Sequence, residues 1–315
     1  MNKRRSFITG VKSTTLSIKE KKFLKKFKPW GVILFSRNIK SIKQTKKLTD
    51  EIKDIFKDEN YPILIDQEGG RVNRLRNFFY TDPLTSEYFG NLYRKDLKNF
   101  NKYYGIFINK TSYLLKLVGI NINTVPVLDL KVKGSSNIIG DRAFSKNPKL
   151  VSKIGDICIK NFHQNNIATV IKHIPGHGLA KVDSHLLTPV IKKKYSELMK
   201  KDFSIFKNKK SLLAMTAHII YKDIDSKYTA THSKKVIQSI RKNIKYKNIL
   251  MSDDISMKSL NYTIKLNTQK AFNAGCNLVL HCNGNFKEML IVGKYSPLLS
   301  KFIIKKTSQI YKILS

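Results

Sequence analysis

Short apolar runs alternate with longer, Lys-rich amphipathic stretches along the 315 residues of this chain, and that alternation restricts the fold more than any other feature. The apolar runs lie at residues 6–10, 31–36, 62–67, 123–130, 168–174, 212–219, 249–253 and 277–282. They have strand length and are rich in Ile, Val and Leu, which predicts buried strands. The stretches between them carry helical spacing. Eight strand–helix units over this length predict an α/β protein, a single-domain (β/α)8 TIM barrel covering residues 1–315. A doubly wound open sheet competes, but no glycine-rich phosphate loop follows the first strand.

Charge enters because it is extreme: 60 Lys and Arg against 22 Asp and Glu, a formal +38. The lysines are spread through nearly every expected helix, and no nucleic-acid recognition motif accompanies them. We therefore expect no specific nucleic-acid partner, only non-specific attraction to polyanions. The densest cluster, Lys21 to Lys28, keeps its apolar residues at helical spacing and reads as a solvated face over a packed one. No apolar run approaches the ~20 residues of a membrane span. The basic start, Met1 to Arg5, lacks the apolar stretch of a signal peptide, so the expected location is cytoplasmic with no membrane partner. Three cysteines without CxxC spacing fit neither a disulfide framework nor a structural zinc site.

A barrel places its chemistry just after the strand ends, and the unusual polar residues stand there. Ser36-Arg37-Asn38 follows the second strand and Asp66-Gln67-Glu68-Gly69-Gly70-Arg71 the third. Asp129 ends the fourth, Lys172-His173 the fifth, His218 the sixth and Ser252-Asp253-Asp254 the seventh. Charges at buried strand ends are unfavourable unless paired or functional. The densest segment is Lys172-His173-Ile174-Pro175-Gly176-His177-Gly178 with Asp183-Ser184-His185, a turn-rich loop leaving the fifth strand.

Two chemistries compete for these groups. His173, His177, His185, His218 and Asp253 could ligate a catalytic metal. Pro175 and Gly176 break the helix that a zinc-protease histidine pair requires, so no metal is expected. Glycoside hydrolysis needs a carboxylate on one face of a sugar and a proton donor on the other. Asp253 supplies the carboxylate. The donor is either a carboxyl such as Glu68 or a histidine held by a carboxylate, which Asp183 and His185 offer.

Lys172–Gly178 with Asp183-Ser184-His185 resembles the KHFPGHG…DSH signature of the β-N-acetylglucosaminidases of glycoside hydrolase family 3. Residues 31–38 (GVILFSRN), 65–74 (IDQEGGRVNR), 126–129 (PVLD) with Gly140-Asp141-Arg142, and 252–257 (SDDISM) resemble four further motifs of that family, in the same order. The resemblance implies a retaining hydrolase that removes terminal β-linked N-acetylglucosamine without a cofactor. It aligns Asp253 with the nucleophile and His185 with the acid/base, assisted by Asp183. It aligns Asp66, Arg74, Arg142, Lys172 and His173 with sugar-binding residues. The implied substrate is a small carbohydrate, a muropeptide of N-acetylglucosamine on 1,6-anhydro-N-acetylmuramic acid, processed by a monomer in cell-wall recycling.

The glycines of the His185 loop predict mobility. Gly69 and Gly70 read as turn formers, Arg71 as an ion-pair partner, His177 as a loop organiser and Asp254 as a support for the strand end. Lys258-Ser259 and the region after residue 284 depart from the family pattern. Two alternatives stay open, a phosphorylase in which phosphate replaces water, and a basic polyanion-binding protein on an inactive barrel.

Overall fold

In the computed structural model, which describes residues 3–184 and 186–315, eight parallel strands close into a barrel. They are β1 (Arg5–Gly10), β2 (Pro29–Leu34), β3 (Ile63–Ile65), β4 (Ile122–Asn123), β5 (Ala168–Ile174), β6 (Leu213–Thr216), β7 (Ile249–Asp254) and β8 (Leu278–His281). Their order around the barrel is the order of the chain, with β8 pairing β1. Every expected strand is present. Their apolar runs are buried because both faces of the sheet are covered.

Several strands are shorter than their apolar runs, β4 and β6 by the most residues. β4 stops at Asn123 because Pro126 has no N–H for the ladder, and a single bridge, Val127 to Lys172, continues the contact with β5. Asp129 therefore stands beyond the strand rather than at its end. β6 stops at Thr216, and Ile220–Tyr221 instead pairs with Val190–Ile191 in a small parallel sheet beside the barrel mouth.

Alternation along the strands builds two apolar layers. Ile8, Ile33, Leu64, Ile122, Val170, Met215, Met251 and Leu280 pack inside the barrel, while Phe7, Val32, Ile65, Ile171 and Leu250 pack outward beneath the helices. The interior rows then change character at the C-terminal end. Two residues beyond Leu64, Ile122, Val170, Met251 and Leu280 come Asp66, Thr124, Lys172, Asp253 and Cys282. Period 2 thus aims a ring of polar groups up from an apolar floor.

The lysine cluster behaves as its spacing predicts. The helix Ile18–Phe27 buries Phe23 and Leu24, and a capping box between Ser17 and Glu20 starts it. The C-terminal helix Lys301–Leu314, where the motif resemblance fades, packs Ile303 and Ile310 against the interior cluster. Its Thr307 accepts a hydrogen bond from Trp30 Nε1 at 2.8 Å, so it covers the N-terminal end of the barrel, opposite the polar ring. Among the described residues, no helix is long and apolar enough to cross a membrane.

Candidate active site

The polar ring opens into a cavity of about 170 Å3 at the C-terminal face. Asp66, Arg74, Arg142, Lys172, His173 and Asp253, all expected from the sequence to serve one site, line this single space. His173 joins Lys172 there through a bulge. Lys172 pairs with Met215 and Ile174 with Thr216, so His173 is an extra residue in β5 and two consecutive side chains reach the same cavity.

One wall is an ion network. Lys172 Nζ donates to Asp66 Oδ1 at 2.9 Å, to Thr124 Oγ1 at 2.9 Å and to Glu68 Oε1 at 2.6 Å. An ammonium has three protons, so a sugar hydroxyl must share or displace one of these acceptors. Arg142 grips Glu68 with two parallel bonds of 2.8 and 2.9 Å. Arg74 Nη2 stands 3.4 Å from Asp66 Oδ2. Burial opposes ionisation of both acids, yet Lys172 and Arg74 hold Asp66 below the usual carboxylate range. Arg142 and Lys172 likewise bring Glu68 down to about 2.

That pairing removes Glu68 from the candidates for proton donor. A general acid must hold its proton near neutrality, whereas Glu68 is a fixed carboxylate whose oxygens are occupied by cations. Its place in the site is to orient Arg142 and Lys172, which its motif position alone does not reveal.

The opposite wall carries Asp253. Burial opposes its ionisation too, but the nearby rings of His173 and His218 and the backbone N–H of Asp254 keep its pKa below the ordinary value. Oδ1 accepts from Asp254 N at 2.8 Å. Oδ2 faces His173 Nε2 at 3.9 Å, beyond hydrogen-bond range. Asp253 is thus an ionised carboxylate in the cavity with one oxygen uncommitted among the described residues.

Asp129, fully buried, organises the ring above. Its Oδ2 lies 2.6 Å from His173 Nδ1, and its Oδ1 accepts from His177 N at 2.6 Å. The neighbouring His173 and His177 hold this acid below the usual range against the effect of burial. As an ionised acceptor it assigns the proton of His173 to Nδ1. Sequence alone leaves Asp129 between a structural role and the substrate pocket, and the geometry makes it the orienting partner of a pocket residue.

His177 is the loop organiser its position suggests. Its Nε2 lies 3.0 Å from Ser184 Oγ, and Ser184 lines the cavity. Burial, with the adjacent His173, lowers His177 to about 4. Gly178 is required here, because a Cβ would meet Leu130 O at 2.3 Å. His185, the expected acid/base, lies outside the described residues. Asp183, its expected assistant, sits two residues before it in the same loop, and its carbonyl accepts from Leu186 N and Leu187 N at 3.0 Å each.

Other strand-end polar residues are held as braces, and of these Arg71 also lines the cavity. Arg37 Nε donates to Val11 O at 3.0 Å, and the buried Asn38 donates to Val11 O and Ser13 O. Both ring nitrogens of His218 are engaged, Nδ1 with Thr231 Oγ1 and Nε2 with Asp254 O. Arg71 pairs with Asp141 at 2.8 Å, as an ion-pair partner should. Asp254 accepts from Ser256 N and Oγ and from Cys282 N, supporting the turn after β7. Cys282, whose place on the interior row of β8 is readable from alternation, also lines the cavity.

These shifts predict acid lability. His163, His177 and His232 are lowered to about 4, 4 and 3, chiefly by burial. An unfolded histidine titrates near 6.5. The unfolded chain therefore binds protons first, and stability present above pH ~6.5 is lost as pH falls toward 4. The depressed carboxylates Glu68, Asp66 and Asp253 add a second loss, beginning near the unfolded carboxylate pKa of about 4 and extending toward 2. Melting temperatures measured between pH 8 and 3 are expected to fall in two overlapping phases. A flat profile down to pH 4.5 would contradict the neutral, buried histidines.

An apolar-floored barrel mouth that sets an ionised carboxylate opposite a wall of paired cations and anions has the form of a carbohydrate-processing site. Comparison with known families agrees. Residues 9–306 match the glycosyl hydrolase family 3 N terminal domain, so the chain belongs to this family and is a glycoside hydrolase. It is 34% identical over 259 residues to a beta-hexosaminidase of Neisseria meningitidis serogroup C, covering 80% of this chain and 71% of that one. It is 35% identical over 287 residues to a beta-hexosaminidase of Hydrogenovibrio crunogenus, covering 88% and 78%. Among solved structures, NagZ from Neisseria gonorrhoeae in complex with N-trifluoroacetyl-D-glucosamine superposes with a TM-score of 0.87 at 28% identity, over 98% of this chain and 90% of that one.

Proposed function

We propose that this protein is a retaining exo-β-N-acetylglucosaminidase, and the observation that carries the proposal is the state of Asp253. It is ionised, faces the cavity and, among the described residues, keeps Oδ2 uncommitted. Asp253 attacks the anomeric carbon as the C1–O bond to the aglycone breaks and His185 protonates the departing oxygen. The same histidine then takes a proton from water, which cleaves the glycosyl ester, releases the sugar and restores the Asp253 carboxylate. Asp66 accepts from sugar hydroxyls, while Arg74, Arg142, Lys172 and His173 surround the ring.

Among the described residues, the carboxylates lining the cavity, Asp66, Glu68 and Asp253, are all held below the usual range. None of them is a reservoir of protons near neutrality. This supports assigning the acid/base to His185, next in the chain to the cavity-lining Ser184, with Asp183 supporting its protonated form. A histidine, with an ordinary pKa near 6.5, donates at neutral pH with little tuning.

The beta-hexosaminidase relatives and the glucosamine derivative bound by the Neisseria gonorrhoeae structure support the sugar specificity. The natural substrate in this reading is N-acetylglucosamine β-linked to 1,6-anhydro-N-acetylmuramic acid, a muropeptide fragment. The enzyme is a cytoplasmic, monomeric, single-domain barrel over residues 1–315.

The test is to follow the anomer released from a 4-nitrophenyl N-acetyl-β-glucosaminide by proton NMR, with and without phosphate, and then to offer the muropeptide. Initial release of the β-anomer, unchanged by phosphate, is expected. Sugar 1-phosphate would replace hydrolysis by phosphorolysis, and initial α-anomer would exclude a covalent intermediate on Asp253.

A further inference from the structure

We infer that His177 is a positioning residue for proton transfer, tying the sugar-binding ring of His173 to the loop that delivers the proton. The inference rests on the glycosidase reading above and assigns a function to a residue which that mechanism does not use.

The loop 175–184 leaves β5 and returns to the cavity at Ser184. The contacts made by His177 bind the two ends together. At one end its backbone N–H donates to Asp129 Oδ1, and Asp129 Oδ2 holds His173 Nδ1. At the other its Nε2 meets Ser184 Oγ at 3.0 Å. The two imidazoles also touch edge to face, with centroids 5.4 Å apart and an interplanar angle of 60°. A sugar hydroxyl that orders His173 therefore also orders, through Asp129 and His177, the residue preceding His185.

His177 is an expensive choice if stability were its only purpose. It is 3% exposed, and its Nδ1 has no hydrogen-bond partner among the described residues. A buried, half-satisfied imidazole is less favourable than an apolar side chain of similar size. What the ring offers that a hydrocarbon cannot is the bond to Ser184. Being neutral at working pH, it makes that bond without adding charge next to His173. The bond to Asp129 comes from the backbone and survives substitution of the side chain, so the ring's part is separable from that of the loop backbone.

The experiment compares His177→Ala, His177→Gln and Ser184→Ala with the wild-type protein on two N-acetyl-β-glucosaminides. The 2,4-dinitrophenyl glycoside has a leaving group that needs no proton, and the methyl glycoside has one that does. The readout is kcat/KM, which reports the first chemical step.

His177→Ala and Ser184→Ala are expected to lose at least tenfold more activity on the methyl than on the dinitrophenyl glycoside. The alkaline limb of the pH profile is expected to move on the methyl substrate only. His177→Gln, whose amide N–H can reach Ser184, is expected to recover part of the loss. Equal losses on both substrates would mean a merely structural residue and overturn the inference, as would full activity of the alanine variants on both. A wild-type protein that cleaves neither substrate would overturn the glycosidase reading and this inference with it. Wild-type cleavage with equal losses in the variants would overturn this inference alone.

Discussion

Replacing Asp253 by Asn is expected to abolish turnover, lowering kcat on the order of 10^4-fold or more, as removal of a nucleophile acting in a concerted set does. The fold should survive. The only hydrogen bond made by this side chain among the described residues is acceptance from Asp254 N through Oδ1, and an asparagine oxygen can take that bond. The loss would then be chemical, since a neutral amide oxygen neither forms a glycosyl ester nor stabilises an oxocarbenium ion. Unfolding by urea should give the same slope and a similar midpoint. Asp253→Gly sharpens the test by leaving room on the α face of the sugar for a small external anion. With azide and the dinitrophenyl glycoside it should regain activity and yield the α-glycosyl azide. A β-azide, or an Asn variant within tenfold of wild type, would show that another group is the nucleophile.

Glu68→Ala is expected to have the largest effect on stability, about 3–5 kcal/mol, because it leaves two buried cations without their shared partner. The side chain of Glu68 is 3% exposed, that of Lys172 3% and that of Arg142 12%. Lys172 keeps Asp66, but Arg142 loses both of its parallel bonds. Activity should fall as well, by about 10^2-fold, since displacing binding groups by an ångström has that order of consequence. The double variant Glu68→Gln with Arg142→Gln, which removes both charges, should restore part of the stability while leaving activity low. A Glu68→Ala protein as stable as wild type would mean that water enters the cavity freely and the network is not dry.

The two predictions rest on residues that were unequally legible in the sequence. Asp253 could be singled out twice, from its motif and from its place two residues beyond Met251 on the interior row of β7. Asp66 and Lys172 stand on the same row logic, beyond Leu64 and Val170. Glu68 was legible only as a carboxyl near a strand end, and as such it was an acceptable proton donor. Nothing within its own segment reveals that Arg142 and Lys172, 74 residues away for the former, close on it and fix it as an anion. Asp129 was ambiguous for the same reason, as its partners His173 and His177 lie 44 and 48 residues ahead.

The sequence by itself determined the eight strands, their closure into a barrel and the side of each strand that faces the cavity. These follow from local alternation and from the length of each apolar run, properties that a residue carries with its neighbours in the chain. The tertiary structure alone decided which charges meet, because closing the barrel brings β3, β4 and β5 side by side and folds residues 138–142 over them. Whether a buried carboxyl is acid or anion depends on the cations within a few ångströms and on the water that is excluded, and neither is a property of sequence spacing.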